Sequence, residues 1–260
     1  MKDTISPLSS SVSKGTGTAK GFSSSKPHTA KASDLKAAAK VHAKELRQNG
    51  VVRIDNVLTD AMADDLRDYV MELRQVSTAQ VESGEVKSVA RFANVLLKQN
   101  RCDLTIPLED EVVTNALLHI LQKTPLTRII SSILGKDSLL YELSCLISDP
   151  GSQRQVTHPD TPCHGKDDNP VLYTCFIALQ DITEDMGPTT WLPKTHTSQA
   201  HSHFKDDAVE VGGEESPKDQ LLRTTPSVLG LLPKGSCAIF DSRLIHCGGA
   251  NTSDITYGKN

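Results

Sequence analysis

Residues 155–164 read QVTHPDTPCH, and this short segment decides between a polar turn and one wall of a barrel. His158 and Asp160 lie two positions apart with Pro159 between them. In an extended chain, residues i and i+2 point to the same face, so both side chains would aim together into a barrel interior. The proline supports that geometry. It drives the preceding residue, His158, toward the extended region, and its missing N–H is tolerated at the start or edge of a strand. An HxD pair also occurs in ordinary polar turns, so a metal site needs a third ligand from elsewhere.

Working outward, the second half of the chain has the pattern such a barrel requires. LLYELSCLIS (139–148), VLYTCFIALQDI (171–182), TTWLP (189–193), SVLGLLP (227–233) and SCAIFDSRLIH (236–246) are short apolar runs separated by Pro, Gly, Asp and Asn. Many short strands with turn punctuation indicate an antiparallel sandwich or barrel. Residues 195–225 are charged and glycine-containing and read as a long loop, a functional cover for the pocket. The first half reads as helical. DLKAAAKVHAKELRQ follows a capping Ser33 and stops at Gly50. VVRIDNV (51–57) reads as a short strand. Thr59 then caps a helix whose Met62, Leu66, Tyr69, Val70 and Leu73 share one face. Further helix is expected within 111–134, with Pro125 opening its second piece. Residues 1–32, rich in Ser, Thr, Lys, Gly and Ala, cannot bury enough surface to offset their ordering entropy and are expected to be disordered. The expectation is one domain over 33–260, helical over 33–135 with a β core over 136–260.

The best third ligand is His246, at the end of AIFDSRLIH and followed by two glycines within CGG. A strand-end histidine there can approach another backbone closely. Two imidazoles and one carboxylate on one face leave open positions on an octahedral ion, the facial triad of non-haem Fe(II) oxygenases. Other chemistries fit less well. HSH (201–203), with His196 nearby, sits in a polar stretch with no fourth ligand indicated and reads as a solvated loop. Pro162 is expected to turn Cys163 and His164 away from the pair. LGKDS (134–138) lacks the features of a phosphate loop, and neither GxGxxG after a strand nor GxSxG occurs.

The 260 residues carry a net charge of −4, which argues against a nucleic-acid footprint. Six cysteines (102, 145, 163, 175, 237 and 247) form no CxxC pair, the usage of a reduced intracellular protein. No apolar run approaches the roughly 20 residues of a membrane span, and the N-terminus lacks the apolar region of a secretory signal. Asn251–Thr–Ser is therefore read as a chance match to a glycosylation acceptor. The expected setting is intracellular and cytoplasmic, with organellar targeting by the tail as an alternative.

The order of four motifs then carries a resemblance. ELRQNGVVRIDNVLT, PGSQRQVTHPDT, FIALQDITEDMGPTTWLPKTHT and FDSRLIHCGGANTSD follow one another as in phytanoyl-CoA dioxygenase-like proteins, over roughly residues 42–254. The segment with Gly187, Pro188, Leu192, Pro193 and His196 resembles that family's strand–turn signature after the HxD pair. The resemblance implies a mainly β double-stranded β-helix (a cupin-like jelly roll) with flanking helices. It implies His158, Asp160 and His246 as ligands of Fe(II), with 2-oxoglutarate as cosubstrate and O₂ as oxidant. It places Gln155 and the strand bearing Tyr173 and Thr174 along the cosubstrate pocket. His196 and Trp191 read as turn-anchoring and core residues. The implied reaction hydroxylates a small or lipid-like substrate and releases succinate and CO₂.

One part of the pattern departs from the family. An arginine about ten residues after the distal histidine normally holds the far carboxylate of 2-oxoglutarate, and after His246 the sequence reads CGGANTSDITYGKN. Lys259 is the only downstream cation, and Arg243 is expected on the opposite face by strand parity. The last strand is accordingly expected to be missing, as in a truncated form. A non-catalytic metal-binding β-helix protein is the alternative from a different class.

Overall fold

The first predicted helix runs Ala32–Asn49 (α1) in the computed structural model, which describes residues 32–93, 99–163, 172–205 and 215–253. It buries Ala39, Ala43 and Leu46, the spacing of one helical face. Gly50 ends it at φ 77°, a left-handed conformation that glycine adopts without a Cβ penalty. A Cβ there would also stand 2.5 Å from Nδ1 of His196. The chain passes at once into β1 (Val51–Ile54). Thr59 caps α2 (Asp60–Glu82), its hydroxyl oxygen accepting from the Met62 N–H. Helices α3 (Glu111–Lys123) and α4 (Leu126–Leu134) follow, divided at Pro125.

These helices cover a three-stranded antiparallel sheet ordered β1–β7–β4, with β4 at Tyr173–Ile177 and β7 at Cys237–Asp241. Strand β7 lies between the other two and is buried along its whole length, because it is covered on both faces. On one face Cys237 and Ile239 join Val52, Ile54 and the α1–α4 side chains, with Tyr173, Cys175 and Ile177 packed against them. On the other, Ala238 and Phe240 join Val51, Trp191, Leu232 and Leu244, with Phe176 against them. Trp191 belongs to β5 (Thr189–Trp191), the middle of a second sheet flanked by β6 (Val228–Leu229) and β8 (His246–Gly248). A two-stranded ladder pairs β2 (Arg101–Thr105) with β3 (Ser144–Ser148). The inner side between the two three-stranded sheets is where the ligand-type residues gather.

Several expectations need correction. The content is mixed rather than mainly β: helices hold more of the described residues than strands. Only the end of LLYELSCLIS is strand, and Leu139, Leu140 and Tyr141 are exposed because no partner strand covers them. SCAIFDSRLIH is not one run. It breaks after Asp241 into a turn, so His246 begins β8 instead of ending the preceding strand. Residues 195–225 are not one loop, since α5 (Ser198–Lys205) and α6 (Pro217–Thr224) form within them. The tail over 1–31 and the position of a last strand, including Lys259, lie outside the described residues. Among the described residues, no helix is long and apolar enough to cross a membrane.

Candidate metal centre

Backbone pairing brings the two histidines together. The His158 N–H donates to the His246 carbonyl (2.8 Å), and the His246 N–H donates to the His158 carbonyl (2.9 Å). Their rings consequently lie side by side, with centroids 4.7 Å apart. Beyond Pro159, the Asp160 N–H donates to the Ser242 carbonyl, which holds the aspartate under both rings. Oδ1 of Asp160 then sits 3.8 Å from Nε2 of His158 and 3.6 Å from Nε2 of His246. All three ligand atoms fall within 4.8 Å of one another. Two atoms bound at right angles to an ion at about 2.0–2.2 Å stand roughly 3 Å apart, so an ion would draw these groups inward by less than 1 Å or so.

Hydrogen bonding also sets the histidine tautomers. Nδ1 of His158 lies 2.7 Å from the Val156 carbonyl and Nδ1 of His246 lies 2.8 Å from the Leu244 carbonyl. A carbonyl only accepts, so each Nδ1 carries a proton, and the neutral tautomer this selects has its lone pair on Nε2, the nitrogen nearer Asp160. Burial pushes the His246 pKa down, opposed by the Asp160 carboxylate, which favours the neutral ligand form. Behind His246 the wall is aromatic: the Phe240 ring meets its imidazole edge-on at 5.0 Å, and Trp191 packs on Phe240. On the other side His158 and Asp160 are about a third exposed (34% and 35%), so the site opens there.

Two buried groups brace the ligand segments. His201, read from sequence as part of a solvated loop, is instead 1% exposed. The Cys163 N–H donates to its Nδ1 (3.1 Å), so its Nε2–H donates to the Arg243 carbonyl (2.7 Å). It thus ties the segment after Asp160 to the turn before His246. Helical spacing of Ala200 and Phe204 around it was the available sequence signal. Arg243 donates from Nε (2.9 Å) and a terminal nitrogen (2.7 Å) to the two oxygens of Asp241. The parity argument for Arg243 fails because it lies in the turn, not on a strand.

The remaining sequence candidates fall as follows. The Gln155 N–H donates to the Gly248 carbonyl (2.9 Å), and its Oε1 accepts from the Gly248 N–H (2.7 Å). Thr174 pairs with Phe240 across the sheet and so shares its inner face, whereas Tyr173 packs with the helical cluster on the other face. His196 anchors a turn, its Nε2 lying 3.2 Å from the Arg47 carbonyl, and Trp191 is core. Sequence reasoning passed over Arg101, which opens β2 and is buried against Gly249. Nothing local marks it, because its burial comes from segments far along the chain.

Two histidines and one carboxylate on the inner face of a small β core make up the donor set of a facial triad, a group that could hold a metal ion. More particularly, the chain belongs to the phytanoyl-CoA dioxygenase (PhyH) family, whose model matches residues 46–256. Solved structures with a similar fold include SnoK, a non-heme alpha ketoglutarate dependent carbocyclase from nogalamycin biosynthesis. It is 18% identical with a TM-score of 0.57, covering 88% of this chain and 83% of that one. The epimerase SnoN, in complex with Fe³⁺, alpha ketoglutarate and nogalamycin RO, is 17% identical with a TM-score of 0.50, covering 84% and 79%. AviO1 from Streptomyces viridochromogenes Tue57 is 15% identical with a TM-score of 0.53, covering 83% and 89%. At these identities the likeness concerns the fold. Comparison with curated protein sequences found no match.

Proposed function

We propose that this protein is an Fe(II)- and 2-oxoglutarate-dependent dioxygenase that hydroxylates a small or lipid-like molecule, with succinate and CO₂ as co-products. The observation that carries the proposal is the meeting of His158 Nε2, His246 Nε2 and Asp160 Oδ1 within 4.8 Å, with both Nδ1–H groups held by backbone carbonyls. Such a donor set suits a divalent first-row ion and leaves coordination positions open. Iron held there would supply what no side chain can, coupling O₂-dependent decarboxylation of the keto acid to oxidation of an unactivated C–H bond.

The chain's own residues orient the ligand groups and exclude water. The backbone bonds between His158 and His246 fix the angle between the rings, and His201 with Asp241–Arg243 holds the two segments in register. Phe240, Phe176 and Trp191 keep the back of the site dry. Gln155 and Thr174 are the polar positions proposed to line the cosubstrate pocket. Residues 33–260 acting as one domain in an intracellular setting belong to the same proposal.

The test is anaerobic loading of the full chain with Fe(II) followed by 2-oxoglutarate. A visible charge-transfer band is expected, lost in His158→Ala and Asp160→Ala, with succinate release once O₂ and a substrate are present. Absence of both the band and succinate release across fatty acyl, acyl-CoA and polycyclic substrates would sink the proposal.

A further inference from the structure

Asp103 has no part in the account so far, and its carboxylate is short of donors. The residue is half-buried, its Oδ1 is cut off from water, and no hydrogen-bond partner reaches that oxygen among the described residues. Asp55, Asp149 and Asp241, half-buried or buried like it, each pair by contrast with an arginine. Arg101, two residues away on β2, does not fill that role. Its guanidinium is drawn off to the carbonyls of Gly249 (2.7 Å) and Gln153 (3.2 Å). A carboxylate partly withdrawn from water without a donor keeps a desolvation cost that a cation would offset.

Strand parity gives the direction in which Asp103 faces. Cys102 and Leu104 pack with Val70 of α2, so Arg101 and Asp103 lie on the opposite face of β2. That face is the inner one. A terminal nitrogen of Arg101 occupies the space a Cβ on Gly248 would fill, and Gly248 shares its face of β8 with His246. Chain direction then puts Asp103 on the metal side of Arg101. The Ser152 N–H donates to the Asp149 carbonyl, so the chain reverses after β3, and the segment from Gln153 to His158 runs the way β2 runs. Arg101 meets that segment at Gln153. The step from Arg101 to Asp103, about 6.6 Å along the strand, therefore leads toward His158 and His246. Directly across the ladder from Asp103 lies Leu146, which is 44% exposed. The inner face of the ladder thus sets a carboxylate in need of a donor beside bare hydrocarbon.

We infer that Asp103 and Leu146 form a substrate-recognition wall for this centre and that it takes an aliphatic amine, the ammonium held by the Asp103 carboxylate and the hydrocarbon laid on Leu146. An alkylammonium suits both features. It titrates near lysine, at about 10.4, so it is charged at neutral pH, and its stem is apolar. The inference rests on the proposed function and adds to it the chemical class of the substrate and the residue that selects it.

The full chain is titrated by calorimetry with hexylamine and with 1-hexanol, its neutral counterpart of the same length. The titration is run without metal and again after anaerobic loading with Fe(II) and 2-oxoglutarate, where the charge-transfer band gives a second readout. Wild type is expected to bind hexylamine at least about 10-fold tighter than 1-hexanol, the smaller end of what a hydrogen bond to a charged group adds. Asp103→Asn should bring hexylamine to the level of 1-hexanol with Fe(II) uptake retained. Leu146→Lys, at an exposed position, sets an ammonium of the chain's own across from Asp103 and should abolish the preference in the same way if Asp103→Asn does not fold. Wild type binding amine and alcohol alike overturns the assignment without any variant. A folded Asp103→Asn protein that keeps the preference overturns it too. An amine preference without any charge-transfer band upholds the assignment and counts against the proposed function, whereas the band without the preference does the reverse.

Discussion

Replacing His201 by leucine keeps most of the buried volume and removes both hydrogen bonds of the imidazole. The Cys163 N–H and the Arg243 carbonyl each lose that hydrogen bond, in a site where His201 itself is 1% exposed. Losing such a hydrogen bond at a buried group costs about 1–3 kcal/mol, and a chain of this size loses about 2–4 °C of Tm per kcal/mol, so the loss of both should lower Tm by roughly 4–24 °C. The pH dependence must change as well. Burial pushes the His201 pKa below its ordinary value, and its Nδ1 can accept from Cys163 only when neutral. The stabilisation is therefore complete above the unfolded pKa of about 6.5 and is lost as pH falls through the lower folded value. Within that window each such proton adds up to about 1.4 kcal/mol per pH unit. His42 and His196 are shifted the same way by burial, so the variant keeps an acid slope made shallower by one proton. Melting followed by circular dichroism at about pH 7.5 and about 5.5, either side of the ordinary histidine pKa, reads both effects. A leucine variant melting within about 1 °C of wild type, with an unchanged acid slope, would refute the reasoning.

Asp241→Asn breaks the buried ion pair between Asp241 and Arg243, and breaking such a pair costs about 3–5 kcal/mol. Equilibrium denaturation should show that loss, and a smaller one when both residues are replaced by leucine. Gly187 has φ 70°, and a Cβ there would stand 2.6 Å from backbone atoms of Gly249 and Ala250. Gly187→Ala should therefore destabilise by more than about 1 kcal/mol, measurable by the same method. Fe(II) at about 100 times its Kd should stabilise wild type by about 2.7 kcal/mol, a gain that a thermal shift should find missing in Asp160→Ala.

The half of the site on His158 and Asp160 was legible because its logic is local: a two-residue period with a proline that enforces extension. His246 was legible as a candidate only, since its meeting with the pair is made by backbone bonds between distant segments. The break before it was misread because the polar residues of the turn are themselves buried and paired. Asp241 and Arg243 neutralise each other inside what reads as one apolar run. The helices over 195–225 were missed for a related reason, as buried His201 looks like a surface residue until its two partners are known. Arg101 had no local signal, for its burial depends on Gln153 and Gly249 folding over it. The helices α1–α4 were read well because their apolar stripes and caps, Thr59 and Gly50 above all, act within a few residues.

X-ray absorption on the Fe(II)-loaded chain is the most direct test of the ligand set. The account predicts a first shell of nitrogen and oxygen alone at about 2.0–2.2 Å, with outer scattering from two imidazoles and loss of the protein shell in Asp160→Ala. A sulfur shell near about 2.3 Å, as Cys163 or Cys247 would give, or scattering from a single imidazole, would contradict it.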